Sequence, residues 1–403
     1  MADPTPSRSS VPAAVSSLLI LIAYLGFISL GLPDTLIGVA WPSVRGVFGR
    51  QQSEIAWIFF GSGAAYFCSS LLTGRLMRLM SIGLLLAGSS GLVAAAMFGY
   101  GTASVWVLFA ACALLHGLGS GAIDSALNFY VAHHLSARHM NWLHACYSLG
   151  ATLGPIIMTA VLVQGNSWRA GYLTVGTLLA LLALLFAASQ RQWGRPGASG
   201  GETLESTPIG LRETLRYAPV WVHVVLFFIY TGLEVTVGQW SFTLLTEARG
   251  LPKELAGTWV TLYWGSIAAG RIGFGFIVER LGVDRLLRLA MLATTIGAAL
   301  FLAHLAPWLT AIALVLIGLG LAPIFPCLMV RTPQRLGPAR AAHAIGVQVS
   351  AAMVGAAALP SACGFLVQRL SLSVIPAAAL AMALALFLLH EGLLRHDRRV
   401  PQA

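Results

Sequence analysis

Three carboxylates of this 403-residue chain stand where carboxylates are expensive. Asp34, Asp124 and Glu234 each lie inside a long apolar run, whereas the other acidic residues fall in loops, termini or the ends of such runs. A carboxylate taken out of water favours its protonated form, so such a group can carry a proton, hold a polar ligand or pair with a cation. One cation, Arg271, also lies within an apolar run. Glu234 with Arg271 can equally be a pair that ties two helices together. Asn128 follows Asp124 by four residues, the spacing of neighbours on one helix face. His144 shares a helical face with Asn141, Ser148 and Thr152, and histidine is the side chain that ordinarily titrates between roughly pH 5 and 8. Tyr147, Tyr230, Trp240 and Trp264 lie close by in sequence. Aromatic rings stack on the apolar faces of sugars and other small ligands, and they also serve packing and interfacial anchoring. The proton-coupling candidates are therefore Asp34, Asp124, Glu234 and His144. The substrate-binding candidates are Asp34, Asp124, Asn128, Tyr147, Tyr230, Glu234, Trp240, Trp264 and Arg271.

The elements that must position these groups are membrane helices. The chain is 57% hydrophobic and 9% charged, with a mean hydropathy of +0.81, against about a quarter charged residues in a soluble domain. Many apolar runs reach the ~20 residues that a bilayer span needs. Twelve are expected, near 14–42, 54–74, 81–101, 105–132, 141–163, 169–189, 217–244, 255–278, 286–304, 308–330, 341–368 and 372–394. The longest connection, about 190–216, is rich in Gly, Ser, Pro and charge and divides the spans six and six. The expected organisation is a six-helix bundle over 1–189, a cytoplasmic linker over 190–216 and a second six-helix bundle over 217–403. Leu211 to Tyr217 can form a short amphipathic helix on the membrane surface.

With the N-terminus inside, the inner loops and termini hold 17 of the 24 basic residues and the outer loops six. That bias places both termini in the cytoplasm of a bacterial-type inner membrane. The net charge of +10 is thus accounted for by topology, and no nucleic-acid partner is expected. The five cysteines all lie in apolar segments without metal-ligand spacing. No metal, cofactor or enzymatic activity is expected, since no Walker loop, nucleophile elbow or HExxH appears. Contact with membrane lipid and a monomeric state are expected.

The two halves repeat. Gly74 and Gly275 are 201 residues apart, as are Gly117-Leu-Gly119 and Gly318-Leu-Gly320. His144-Ala145 matches His343-Ala344, and Asp34-xxx-Gly38 matches Glu234-xxx-Gly238 at an offset of 200. Parallel six-helix repeats belong to transporters that alternate access around a site between the halves. Gly117 to Gly121 and Gly150 to Gly154 carry the small-xxx-small spacing that lets helix backbones approach closely. Pro33, Pro155, Pro323 and Pro326 interrupt spans and can bend them.

These features resemble the major facilitator superfamily. Gly275, Glu279 and Arg280, in GFIVERLGVDR, resemble the superfamily's G-x-x-x-D/E-R-x-G loop. Its counterpart begins at Gly74 and has Arg78 in the acid's place. The resemblance makes these five residues candidates for a gating latch. Within the superfamily the chain is most similar to the fucose–galactose–glucose:proton symporters and their sodium-dependent glucose transporter relatives. The carriers are GLGSGAIDSALN (117–128), YTGLEVTVGQW (230–240), LYWGSIAAGR (262–271) and GLGLAPIFP (318–326). By motif, the helix 1 aspartate and helix 4 glutamate that act in proton coupling and sugar recognition in fucose permease fall on Asp34 and Asp124. The resemblance departs at Phe129, where that family has proline, and at Tyr147, where it has asparagine. It implies alternating-access import of a sugar or similar small polar metabolite with protons. Coupling to sodium, and proton-coupled efflux of a drug or metabolite, are the alternatives.

Overall fold

In the computed structural model, residues 16–135, 137–193 and 211–399 are described. They form twelve long helical rods: α1 (Ser17–Phe48), α2 (Gln52–Leu79), α3 (Ile82–Thr102), α4 (Trp106–His134), α5 (Ala137–Val163), α6 (Trp168–Ser189), α7 (Ala218–Ala248), α8 (Lys253–Leu281), α9 (Val283–Ala303), α10 (Pro307–Leu336), α11 (Pro338–Arg369) and α12 (Val374–Arg399). Eleven are apolar enough over 18 residues to span a bilayer by composition alone. The exception is α8, which carries Arg271 and a charged start and end. Leu211–Arg216 is a separate short helix before α7. Ordered packing of the first half runs past the expected boundary at 189: Trp193 is buried against Tyr130 and Phe186. The rest of the expected linker, 194–210, lies outside the described residues.

The expected repeat is visible in the packing. A methyl on Gly117 would stand 2.0 Å from the carbonyl oxygen of Ser62 in α2, and one on Gly119 would stand 2.5 Å from that of Ser89 in α3. The equivalent Gly318 and Gly320 press in the same way on α8 and α9, at Ser266 and Thr294. Gly150 meets Ile28 of α1, and Gly355 meets Phe228 of α7. Lipid tails are as apolar as side chains, so helices hold together in a bilayer by such close packing. Gly38 and Gly238, equivalent in the two halves, meet each other, with 3.1 Å from a Gly38 methyl to the Gly238 oxygen.

The start of α1 and the end of α12 lie on one face of the molecule, the terminal face; the other is the far face. The two bundles meet at the far face. Arg45 donates to Glu247 at 2.7 Å and Gln52 to Glu247 at 3.2 Å, and Ser53 and Gln51 both bond Gln368. The last turn of α7, Leu244–Ala248, is widened to a π-helix, and it is this turn that carries Glu247.

Proline acts unevenly. Pro33 lacks the N–H that an α-helix needs, and α1 breaks just after it, at Thr35. The hydroxyl of Thr35 is taken up by the Ala151 carbonyl of α5 at 3.0 Å. A second break falls at Ala322–Pro323 in α10. Pro155 was expected to interrupt its span, but α5 runs on through it without a break.

Candidate functional site

The break in α1 presents Asp34 at mid-rod. Its Oδ2 accepts from Tyr147 Oη of α5 at 3.0 Å, and its Oδ1 lies 3.3 Å from His116 Nε2 of α4. The side chain is 38% exposed, whereas Ile37 to Ala40, the next turn toward the far face, is buried. Asp34 therefore faces the space between the bundles, on the terminal side of the far-face seal.

Asp124 is positioned by the other glycine pair. Gly117 and Gly121 seat α4 on α2 at Ser62 and Tyr66, and Tyr66 Oη then donates to Asp124 Oδ2 at 2.7 Å. Asn128 Nδ2 donates to Oδ1 at 3.0 Å and to the Asp124 carbonyl at 2.9 Å. Among the described residues, neither Asp34 nor Asp124 is paired with a lysine or arginine.

Glu234 is compensated instead. It is buried, accepts a hydrogen bond from Tyr230, and lies 3.4 Å from Arg271 Nη2. Tyr263 donates to the Glu234 carbonyl at 2.8 Å. Arg271 also reaches across the interface, donating through Nη1 to Ser148 Oγ of α5 at 2.5 Å. His144, one turn before Ser148, is exposed and packs edge-on against Phe27. The side chain of Asn141 lies outside those described.

Of the expected ligand contacts, Asp34, Asp124, Asn128, Tyr147, Tyr230, Glu234 and Arg271 converge on this centre, with His144 beside it. Trp240 and Trp264 do not. Trp240 is fully buried with its Nε1 given to the Pro360 carbonyl at 2.9 Å, and Trp264 is wedged against Gly238 and Tyr263. Both pack helices here, because the glycine and proline backbone around them leaves ring-sized gaps.

The latch also differs from expectation. Glu279 and Arg280 are exposed and make no ion pair among the described residues, and Gly74, Arg78 and Gly275 are likewise exposed. The acid that pairs is Asp284, with Arg331 and Arg335 of α10. Tyr66 and His116 were not among the expected site residues. The i, i+4 ladder His116–Ser120–Asp124–Asn128 is the signal that marks His116.

Two bundles related by repeat, meeting around a polar centre in the middle of membrane-length helices, define a transporter. Residues 23–360 match the Major Facilitator Superfamily, with a second match over 241–402, and the chain belongs to that family. It is 22% identical to bypass of stop codon protein 6 of Saccharomyces cerevisiae over 89% of this chain and 79% of that one. It is 23% identical to human sodium-dependent glucose transporter 1, over 61% of this chain and 54% of that one. A glucose/galactose transporter of Brucella abortus is 26% identical over 66% of this chain and 67% of its own length. The fold is that of a bacterial homolog of the human lysosomal transporter Spinster in an inward-facing, unoccupied conformation, with a TM-score of 0.74 at 13% identity, covering 98% of this chain and 100% of that one.

Proposed function

We propose that this transporter imports a sugar or similarly small polar metabolite together with protons, with Asp34 and Asp124 as the coupling groups. The observation that carries this reading is the charge balance of the centre. Glu234 is neutralised by Arg271, whereas among the described residues Asp34 and Asp124 have only Tyr, Asn and His partners. An uncompensated carboxylate inside a membrane costs several kcal/mol, by ~2.5–3.5 on insertion scales, so it is discharged by binding a proton or a cation. The chain's similarity to proteins named as glucose and galactose transporters supports a sugar as the solute. Arg271, held by Glu234 and pointed at Ser148, supplies a donor from the second bundle, and His144 lies one helical turn before Ser148.

Binding of a ligand shifts the balance between the two access states only through its different affinity for each. A proton on Asp34 favours the state in which that carboxyl is shielded from water. The positive-inside bias makes the terminal face cytoplasmic, so this form is open inward. The test is uptake of labelled sugars and small polar metabolites into proteoliposomes under an imposed proton or sodium gradient, native chain against Asp34→Asn. Proton-driven uptake lost in the variant supports symport through Asp34. Uptake that follows sodium alone replaces the coupling ion, and gradient-driven exit of a preloaded compound overturns import in favour of efflux.

A further inference from the structure

Behind Asp34, on its far-face side and wholly inside the first bundle, lies a cavity of about 70 Å³. Asp34, Ser62, Tyr100, His116 and Tyr172 give it polar walls, from five different helices. Two of those side chains are almost fully buried, and each has a buried polar atom with no hydrogen-bond partner among the described residues: Tyr100 Oη, in a residue 3% exposed, and His116 Nε2, in one 7% exposed. His116 Nε2 is within 3.3 Å of Asp34 Oδ1 but not aligned for a hydrogen bond. Toward the far face it is closed by aromatic rings, with Tyr100 against Phe109 at 4.6 Å and against Tyr172 at 5.2 Å. Asp34 is thus the wall between two compartments. Oδ2 and Tyr147 belong to the space between the bundles; Oδ1 and His116 belong to the chamber.

We infer that His116 and Asp34 are one proton-holding site, sharing a single proton between Nε2 and Oδ1, which lie 3.3 Å apart. The uptake step adds one proton to a pair of charge −1, imidazole with carboxylate, and leaves a pair of charge zero. That proton resides on either atom, and its release to either side restores the carboxylate and the neutral ring. The pair deepens the reading of Asp34 as the coupling group and rests on it. The charged and titratable groups that face it are Tyr66 of α2, Tyr100 of α3, Asp124 of α4, Tyr147 of α5 and Tyr172 of α6, with Glu234 and Arg271 beyond Tyr147. Because the chamber lies within one bundle, rocking of the bundles leaves it intact, and the proton stays held while access changes.

The test is infrared titration of the full-length protein in lipid, following the carboxylic C=O band that Asp34→Asn removes. In His116→Gln the midpoint of that band should fall by about one pH unit, a tenfold loss of proton affinity. The reciprocal measurement keeps the test alive should that variant fail to fold. In Asp34→Asn, the ¹⁵N-histidine resonance of His116 should titrate lower by a similar amount, because coupling between two sites is mutual. Unchanged midpoints in both variants would overturn the shared site and leave His116 a packing residue. Neither readout uses a substrate, so a failure to find sugar uptake and a failure of this site are told apart.

Discussion

Gly150→Ala should disable the centre without touching a polar residue. The new methyl would sit 2.0 Å from the Ile28 carbonyl oxygen, and ordinary contact starts at 3.4 Å, so α1 and α5 must part by 1.4 Å at this crossing. Backbone, not a flexible side chain, is the obstacle, and rotamer change cannot absorb it. Tyr147 lies one turn from Gly150 and donates to Asp34 at 3.0 Å. A shift of that size takes the pair past hydrogen-bond distance, at about 1 kcal/mol for the bond. Overpacking of the crossing adds about 1–3 kcal/mol. The expected result is a drop in the melting temperature of the purified protein, together with a loss of gradient-driven uptake much larger than the loss of folded protein. Native stability with native transport would refute the argument that this backbone contact sets the geometry of Asp34. The matched control is Gly46→Ala, where a methyl meets nothing within 4 Å and no effect is expected.

Other consequences can be checked with one or two substitutions each. Ser53→Cys with Gln368→Cys replaces a hydrogen bond between the bundles at the far face; oxidation should cross-link the pair and stop transport, and reduction should restore it. Trp240→Phe removes the bond to Pro360, costing about 1 kcal/mol of stability, with substrate affinity unchanged in a binding assay. Glu234→Gln leaves Arg271 buried beside a neutral group, a change that typically costs about 3–5 kcal/mol. Adding Arg271→Gln should recover part of that stability in thermal unfolding while leaving uptake impaired.

The architecture was readable because its causes are local and repetitive. Apolar runs of bilayer length, the basic bias of alternate loops and glycines at an offset of 201 each act through neighbours in the chain. Asp34, Asp124 and Glu234 were legible for a different reason: a carboxylate in an apolar run is conspicuous whatever it touches. Of their partners on other helices, only the pairing of Glu234 with Arg271 was among the readings the sequence offered; those of Asp34 and Asp124 were not legible. Glu234 met Arg271 from the next helix, while Asp124 met Tyr66 from 58 residues away, and nothing in sequence spacing distinguishes the two. The surroundings of Trp240 and Trp264 were not legible for the same reason. Their rings look alike on a membrane helix whether they face a cavity or a glycine groove, and only the packed neighbour decides. In the loop after α8 the pattern names Glu279, whereas the arginines of α10 reach Asp284, a pairing that only the packed helices reveal.

One rod stands apart from the other eleven. On its own, α8 would be a poor membrane segment, since Arg271 near its middle alone costs ~2.5–3.5 kcal/mol at the bilayer centre. That cost is offset only once α7 has brought Glu234 and Tyr230 to the guanidinium and α5 has brought Ser148. The segment is therefore kept in the bilayer by its partners more than by its own composition. During synthesis, α7 is already in place when α8 emerges, and α5 belongs to the half made first. The order of the chain thus delivers the stabilising groups before the helix that depends on them, and joining the two halves becomes part of membrane insertion itself.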